Sequence, residues 1–237
     1  MRIQGEQAFV LHRYPYGETS VLLEAFTCDF GRVGLVARGV RKPGRAFAGA
    51  HLRPFQPLLL NWSARGELGT LAHAEAPEAA IGLRGNALWC GFYVNELVLR
   101  LLHRHEAHAD LYAAYDRVLR ELVDTTCQEG VLRIFEKRLL ASLGYGLGLT
   151  HDARTGSAIQ GTRSYGYIAD EGFVADTREG EGVQVMGSTL KALYDECFTH
   201  PDQLREAKVL LRGALNSLLG NKPLYTRSLF RSMQHPS

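Results

Sequence analysis

Over the first 76 residues, short apolar runs alternate with turn-forming residues. Ala8 to Leu11, Val21 to Phe26, Val33 to Ala37, Leu58 to Trp62 and Gly69 to Ala72 are β-branched or apolar. Between them lie Pro15 to Gly17, Asp29 to Gly31, Pro43-Gly44, Pro54 to Pro57 and Arg65-Gly66. Runs of this length bounded by Gly and Pro predict five strands. Five strands in so short a segment suit a small closed barrel of the OB-fold type.

After Pro77 the apolar period moves from 2 toward 3.6. Leu88, Phe92, Leu99 and Leu102 form a stripe that Trp89, Tyr93, Val94, Leu97, Val98 and Leu101 widen, which predicts a buried helix, apolar nearly all round. Asp110 is placed to cap a second helix, with Leu111, Tyr112, Tyr115, Val118, Leu119 and Leu122 on one face. Leu132, Phe135, Leu139, Leu140 and Leu143 mark a third, stopped by Gly144. From about 150 to 187 no helical period is sustained, and Tyr165 to Ile168 with Gly172 to Val174 read as an inserted hairpin. Ser188 is placed to cap a helix carrying Leu190, Leu193, Tyr194 and Cys197. A last helix runs through Leu204, Ala207, Leu211, Leu215 and Leu218 to Gly220. The expected fold is α+β: a five-stranded OB-fold barrel over 1–80, then a mainly α-helical domain over 81–237 with a small β-like insert.

Composition narrows the class. A chain of 237 residues with 46% hydrophobic positions buries roughly 70% of its unfolded surface, which excludes a disulfide-framed miniprotein and a disordered tail. No apolar run approaches the ~20 residues of a membrane span. The start, Met1 to Glu6, lacks a signal core, and the four cysteines stand at least 37 residues apart without a Cys-x-x-Cys pair. A cytoplasmic protein with reduced thiols is expected.

The net charge of +2 conceals segregation. Between Arg32 and Arg53 lie six cations, Arg32, Arg38, Arg41, Lys42, Arg45 and Arg53, and no acid. From Arg205 onward six cations face only Glu206, whereas Asp170, Glu171, Asp176, Glu179 and Glu181 make an acidic stretch. The loop Arg38 to Arg45 joins phosphate donors to glycines that admit a close backbone, and Phe47 offers a stacking face. On a small barrel this pattern points to nucleic acid; a solvated surface loop is the plainer alternative.

Other motifs carry less. His105 and His108 share a helical spacing, but zinc would need ligands from elsewhere. Gly144-Tyr145-Gly146-Leu147-Gly148 ends a helix rather than opening one, so it is a helix stop and not a phosphate loop. Asn95-Glu96 offers one carboxylate without a second acid and reads as a buried polar pair ordering a domain interface. No nucleophile motif occurs, and no enzyme is expected.

Seven segments in order carry a resemblance: Ala8-Phe9-Val10-Leu11, Gly17-Glu18-Thr19-Ser20, Gly31-Arg32-Val33 through Arg38-Gly39, Leu52-x-Pro54-Phe55-x-Pro57-Leu58, Tyr93-x-Asn95-Glu96-Leu97, Leu143-Gly144-Tyr145-Gly146, and Gly220-Asn221-Lys222-Pro223-Leu224-x-x-Arg227. Together they resemble the bacterial RecO recombination mediators. The resemblance implies an N-terminal OB-fold, a helical domain and a non-catalytic role in DNA repair, cytoplasmic and nucleoid-associated. It implies binding of single- and double-stranded DNA without sequence preference, annealing of complementary strands, contact with the acidic tail of single-strand-binding protein, and cooperation with RecR to load RecA. By this resemblance the DNA-binding residues are Arg32, Arg38, Arg41, Lys42, Arg45, Lys222 and Arg227, and Leu132, Arg133 and Leu139 receive the tail. Many such proteins carry a four-cysteine zinc site after Leu-Gly-Tyr-Gly. Here Thr150 to Gly156 holds no cysteine, so no metal or other cofactor is expected, with His151 and Asp152 as ligand remnants at best. Two other readings stay open at this point: a protein-interaction adaptor with a merely structural barrel, and a hydrolase built on His103, His105 and His108.

Overall fold

A computed structural model describes residues 1–40, 49, 51–177, 182–220 and 222–234, with only the backbone described at Arg65 and 230–234. The chain divides into two compact units, Met1–Thr125 with Leu224–Ser237, and Thr126–Pro223.

In the first unit the five expected strands are present, each longer than its apolar run: β1 (Arg2–Tyr16), β2 (Ser20–Thr27), β3 (Gly31–Ala37), β4 (Pro57–Arg65) and β5 (Leu68–Glu75). They close in the order β1-β2-β3-β5-β4. Only β3 and β5 run parallel. This is the OB-fold barrel. Register shifts in β1, between Ile3 and Glu6 and between Val10 and His12, bend it so that its first part pairs with β4 and its second with β2. Inward residues including Ala8, Val10, Leu23, Ala25, Val33, Leu35, Leu60 and Trp62 fill the interior.

Helices α1 (Gly85–Leu101), α2 (Ala109–Asp124) and α6 (Tyr225–Gln234) belong to the same unit. Phe9 and Phe26, on the outer barrel face, meet the rings of Tyr112 and Tyr115 at centroid distances of 5.2–5.8 Å. Asn95 joins three elements: its Nδ2 donates to the Leu11 carbonyl at 3.0 Å, and its Oδ1 accepts from the Tyr115 hydroxyl at 2.6 Å. Burial pushes the Tyr115 hydroxyl far above its ordinary pKa, so it stays a neutral donor. Next to it, Glu96 accepts from the amides of Tyr225 (2.7 Å) and Thr226 (2.9 Å) and from the Thr226 hydroxyl (2.6 Å). A carboxylate on the orphan amides of a helix start satisfies both donor and dipole. The Asn95-Glu96 pair therefore ties α1 to the barrel, to α2 and to α6.

Helix starts depart from the sequence reading. His108, not Asp110, is the N-cap of α2, and Asp110 falls in the first turn, where its charge still favours the positive pole. Helix α6 was not anticipated, because its apolar positions are few and Glu96 supplies the start from elsewhere in the chain.

The second unit holds α3 (Gln128–Ser142), α4 (Gly187–Tyr194), α5 (Pro201–Leu219) and a sheet of β6 (Ser164–Ile168), β7 (Gly172–Ala175) and β8 (Val183–Met186), ordered β7-β6-β8. The expected hairpin is β6-β7, and β8 adds a third strand. Gly144, at φ 84°, follows α3 as the left-handed residue that stops it. Met186, not Ser188, is the N-cap of α4, whose last residue is Tyr194, so Cys197 lies outside it. The expected boundary near residue 80 falls between β5 and α1, while the compact units divide at 125 and 223 because α1 and α2 pack with the barrel.

Candidate nucleic-acid interface

The outer face of β2 and β3 is half covered. Arg32, Glu24 and Gly34 occupy it by strand alternation. The segment after α1 runs across them: the His105 amide donates to the Arg32 carbonyl at 2.9 Å, and Arg32 Nε donates to the Leu102 carbonyl at 3.1 Å. Glu24 is buried and pairs with Arg32 at 3.1 Å and with Arg104. Gly31, at φ 63°, makes room for this strap, since a Cβ there would lie 1.8 Å from the Glu106 carbonyl oxygen. Arg32, expected on the DNA surface, is thus neutralised beneath a strap. The same strap contains His103, His105 and His108. Among the described residues no group of three or more His, Cys, Asp or Glu is placed to hold a metal ion.

Beyond Glu24 Val36 is still buried, and exposure rises toward Tyr14. The next row on that face is Tyr14, Leu22, Val36 and Thr70, in register across β1, β2, β3 and β5. Tyr14 is 41% exposed, and Leu22 and Thr70 are half-buried. One step further, Tyr16, 45% exposed, lies opposite Ser20. Arg38 follows β3 at this same end, exposed, and leads into the basic loop. His12 packs against Tyr14 with ring centroids 4.4 Å apart. Arg13 is exposed too, but it pairs with Leu23 and belongs to the opposite face of the strand. The turn between β1 and β2 carries one acid, Glu18. A set of donors and open ring faces on a strand surface is suited to a polyanion with unpaired bases.

The other expected DNA contacts separate. Arg41, Lys42 and Arg45 lie outside the described residues. Lys222 is exposed in the second unit. Arg227, in the first, is half-buried, with its guanidinium 5.6 Å from the centroid of the Tyr93 ring and a 3.2 Å hydrogen bond to the Tyr93 hydroxyl, so it docks α6. The sequence reading missed His12, Tyr14 and Tyr16 because Pro15 reads locally as a strand end. The alternation His12-x-Tyr14-x-Tyr16 was the available signal.

The family model described as "Recombination protein O N terminal" matches residues 1–79, and "Recombination protein O C terminal" matches 83–228. The chain belongs to the RecO family. Proteins described as DNA repair protein RecO are similar over nearly their whole length. That of Nitrosospira multiformis is 41% identical, covering 98% of this chain and 97% of its own. That of Nitrosococcus oceani is 44% identical, covering 99% and 95%. That of Methylococcus capsulatus is 44% identical, covering 98% and 94%. The two RecO family models meet where β5 gives way to α1. No helix among the described residues is long and apolar enough to cross a membrane.

Within this RecO chain, the segment after Leu-Gly-Tyr-Gly does not fit a zinc site. Asp152 Oδ1 accepts from the Arg154 and Thr155 amides (3.0 and 2.8 Å) and from the Thr155 hydroxyl (3.0 Å), while Oδ2 accepts from the Ala175 amide (2.7 Å). Burial raises the pKa of this carboxyl, but the four hydrogen bonds outweigh it and hold the group below its ordinary range. Both oxygens of Asp152 organise the loop and fasten it to β7. His151 is exposed, its Nδ1 2.9 Å from the Thr150 hydroxyl. On α3, Arg133 is 5% exposed and pairs at 2.6 Å with Glu136, itself 1% exposed. Leu139 is buried and Leu132 half-buried. Arg133 is therefore a core cation rather than a surface one. Its buried Nε has no acceptor among the described residues.

Proposed function

We propose that this RecO-family chain is a non-catalytic recombination mediator. It binds single- and double-stranded DNA without sequence preference, anneals complementary strands, and works with RecR to load RecA on DNA coated by single-strand-binding protein. The observation that carries this reading is the uncovered end of the barrel face, where exposed Arg38 opens a run of four cations, Arg38, Arg41, Lys42 and Arg45, without an intervening acid. Two polyanions repel, so neutralising phosphates is the main physical requirement for annealing, and base pairing supplies the match. Arg32 and Arg227 are assigned to holding the first unit together rather than to DNA. The aspartate-rich tail of single-strand-binding protein is assigned to α3 beside half-buried Leu132; Arg133, buried against Glu136, is given no direct contact with it. The adaptor reading has no observation in its favour that this one lacks.

Labelled single strands test the proposal. Binding should weaken steeply with salt, and Arg38→Ala with Arg41→Ala should weaken binding and annealing at fixed salt. Binding that ignores salt, or a double variant that binds and anneals normally, rejects it.

A further inference from the structure

We propose that Tyr14 and Tyr16 form a stacking platform for the unpaired bases of single-stranded DNA, so that this end of the barrel prefers single strands over duplex. The inference rests on the DNA-binding reading above and adds the state of the nucleic acid it selects.

Four observations carry it. Tyr14 and Tyr16 are 41% and 45% exposed and lie on the same face of one strand, so their rings are offered together. Their neighbours on that face, Leu22 and Val36, are apolar, so the rings rise from an apolar floor. His12 packs against one side of Tyr14 and limits its freedom, which lowers the entropy lost when a base stacks on the other side. Arg38 is exposed at the same end for the phosphates, and Glu18 in the turn is the one acid of the hairpin between Tyr14 and Ser20.

Spacing points to an extended strand. Residues i and i+2 of a strand lie roughly 6.8 Å apart, about twice the 3.4 Å rise of a stacked nucleic-acid strand. Bases on Tyr14 and Tyr16 must therefore be drawn apart from each other. A duplex keeps its bases stacked and paired, so it reaches the cations but not the rings. A mediator with such a platform holds single strands open to partner bases while its arginines offset the repulsion between backbones.

The test compares three probes of equal length: a thymidine oligonucleotide, an oligonucleotide abasic throughout, and a duplex. The unaltered chain should bind the thymidine strand at least about tenfold more tightly than the abasic one, since two stacked bases at about 1 kcal/mol or more each come to roughly thirtyfold. Tyr14→Ala with Tyr16→Ala should abolish that difference and leave duplex binding and its salt dependence unchanged. Tyr14→Phe with Tyr16→Phe should restore it, because the ring and not the hydroxyl is required. Equal binding of thymidine and abasic strands by the unaltered chain overturns the platform while leaving the DNA reading intact. So does an alanine variant that keeps the difference. Loss of duplex binding in the alanine variant would show that the hairpin serves DNA of either form or the fold itself, and it overturns the single-strand preference. No binding to any probe rejects both the platform and the proposed function.

Discussion

Glu24 holds Arg32 at 3.1 Å beneath a chain segment that also brings Arg104 to the same carboxylate. A cation that reads from sequence as part of a basic surface is thereby a structural element of the barrel, and its neighbour in the same run, Arg38, is the exposed one.

The two arginines should separate in experiment. Arg32→Ala leaves a buried carboxylate with one partner fewer and should lower stability by about 3 kcal/mol. Its effect on single-strand affinity, measured on folded protein, should be small. Arg38→Ala should do the reverse, with an unchanged urea midpoint and a reduced salt slope. Urea denaturation and fluorescence anisotropy on the same preparations check both.

The second unit should be sensitive to acid at Asp152. Its carboxyl titrates lower in the folded chain than in the unfolded one. The stability it contributes is therefore fully present above the ordinary carboxylate pKa and lost as pH falls through the folded value. Asp152→Ala leaves the part-buried amides at Arg154, Thr155 and Ala175 short of an acceptor and should cost about 1–2 kcal/mol at neutral pH. Hydrogen exchange at the Thr155 and Ala175 amides should accelerate, and the difference between variant and parent should shrink below pH 4. An acid-insensitive difference would place the contribution elsewhere.

Arg133 and Glu136 call for a paired experiment. Arg133→Ala strands a buried carboxylate and should destabilise by roughly 3–5 kcal/mol, whereas Arg133→Leu with Glu136→Leu should come close to the parent in stability. The double variant then tests binding without confounding it with folding. Because the pair is buried, that variant should keep its affinity for DNA and for a peptide ending in aspartates, an apolar residue and a free carboxylate.

Helix α6 should depend on Glu96. Glu96→Ala removes the acceptor for two amides and a hydroxyl at its start and should cost on the order of 1–2 kcal/mol. Limited proteolysis should cut between Leu224 and Gln234 faster in this variant, with the barrel unaffected. Unchanged protection of that segment would show that Arg227 on Tyr93 suffices to hold it.

Where local pattern determines structure, the sequence was legible. The five strands follow from apolar runs between Gly and Pro, and α1, α3 and α5 from their stripes. Asn95-Glu96 was readable as an ordering pair because an amide and a carboxylate inside an apolar helix need partners. What escaped depends on contacts distant in the chain. Arg32 differs from Arg38 only through Glu24 and a strap some 70 residues on. Arg133 differs from a surface arginine only through packing around α3. The open rings of Tyr14 and Tyr16 come from a strand that continues past Pro15, which local turn statistics end too soon. No zinc was expected after Leu-Gly-Tyr-Gly, but that Asp152 serves four donors of its own loop could not be read from the local sequence.

The central claim is that exposed cations at the open end of the barrel bind DNA through its backbone. It is tested most directly by the slope of log affinity against log salt for a labelled single strand, in the parent chain and in Arg38→Ala with Arg41→Ala. Each phosphate contact on a single strand contributes about 0.7 to that slope, so the double variant should lose about 1.4. A slope that is the same in both proteins would contradict the account.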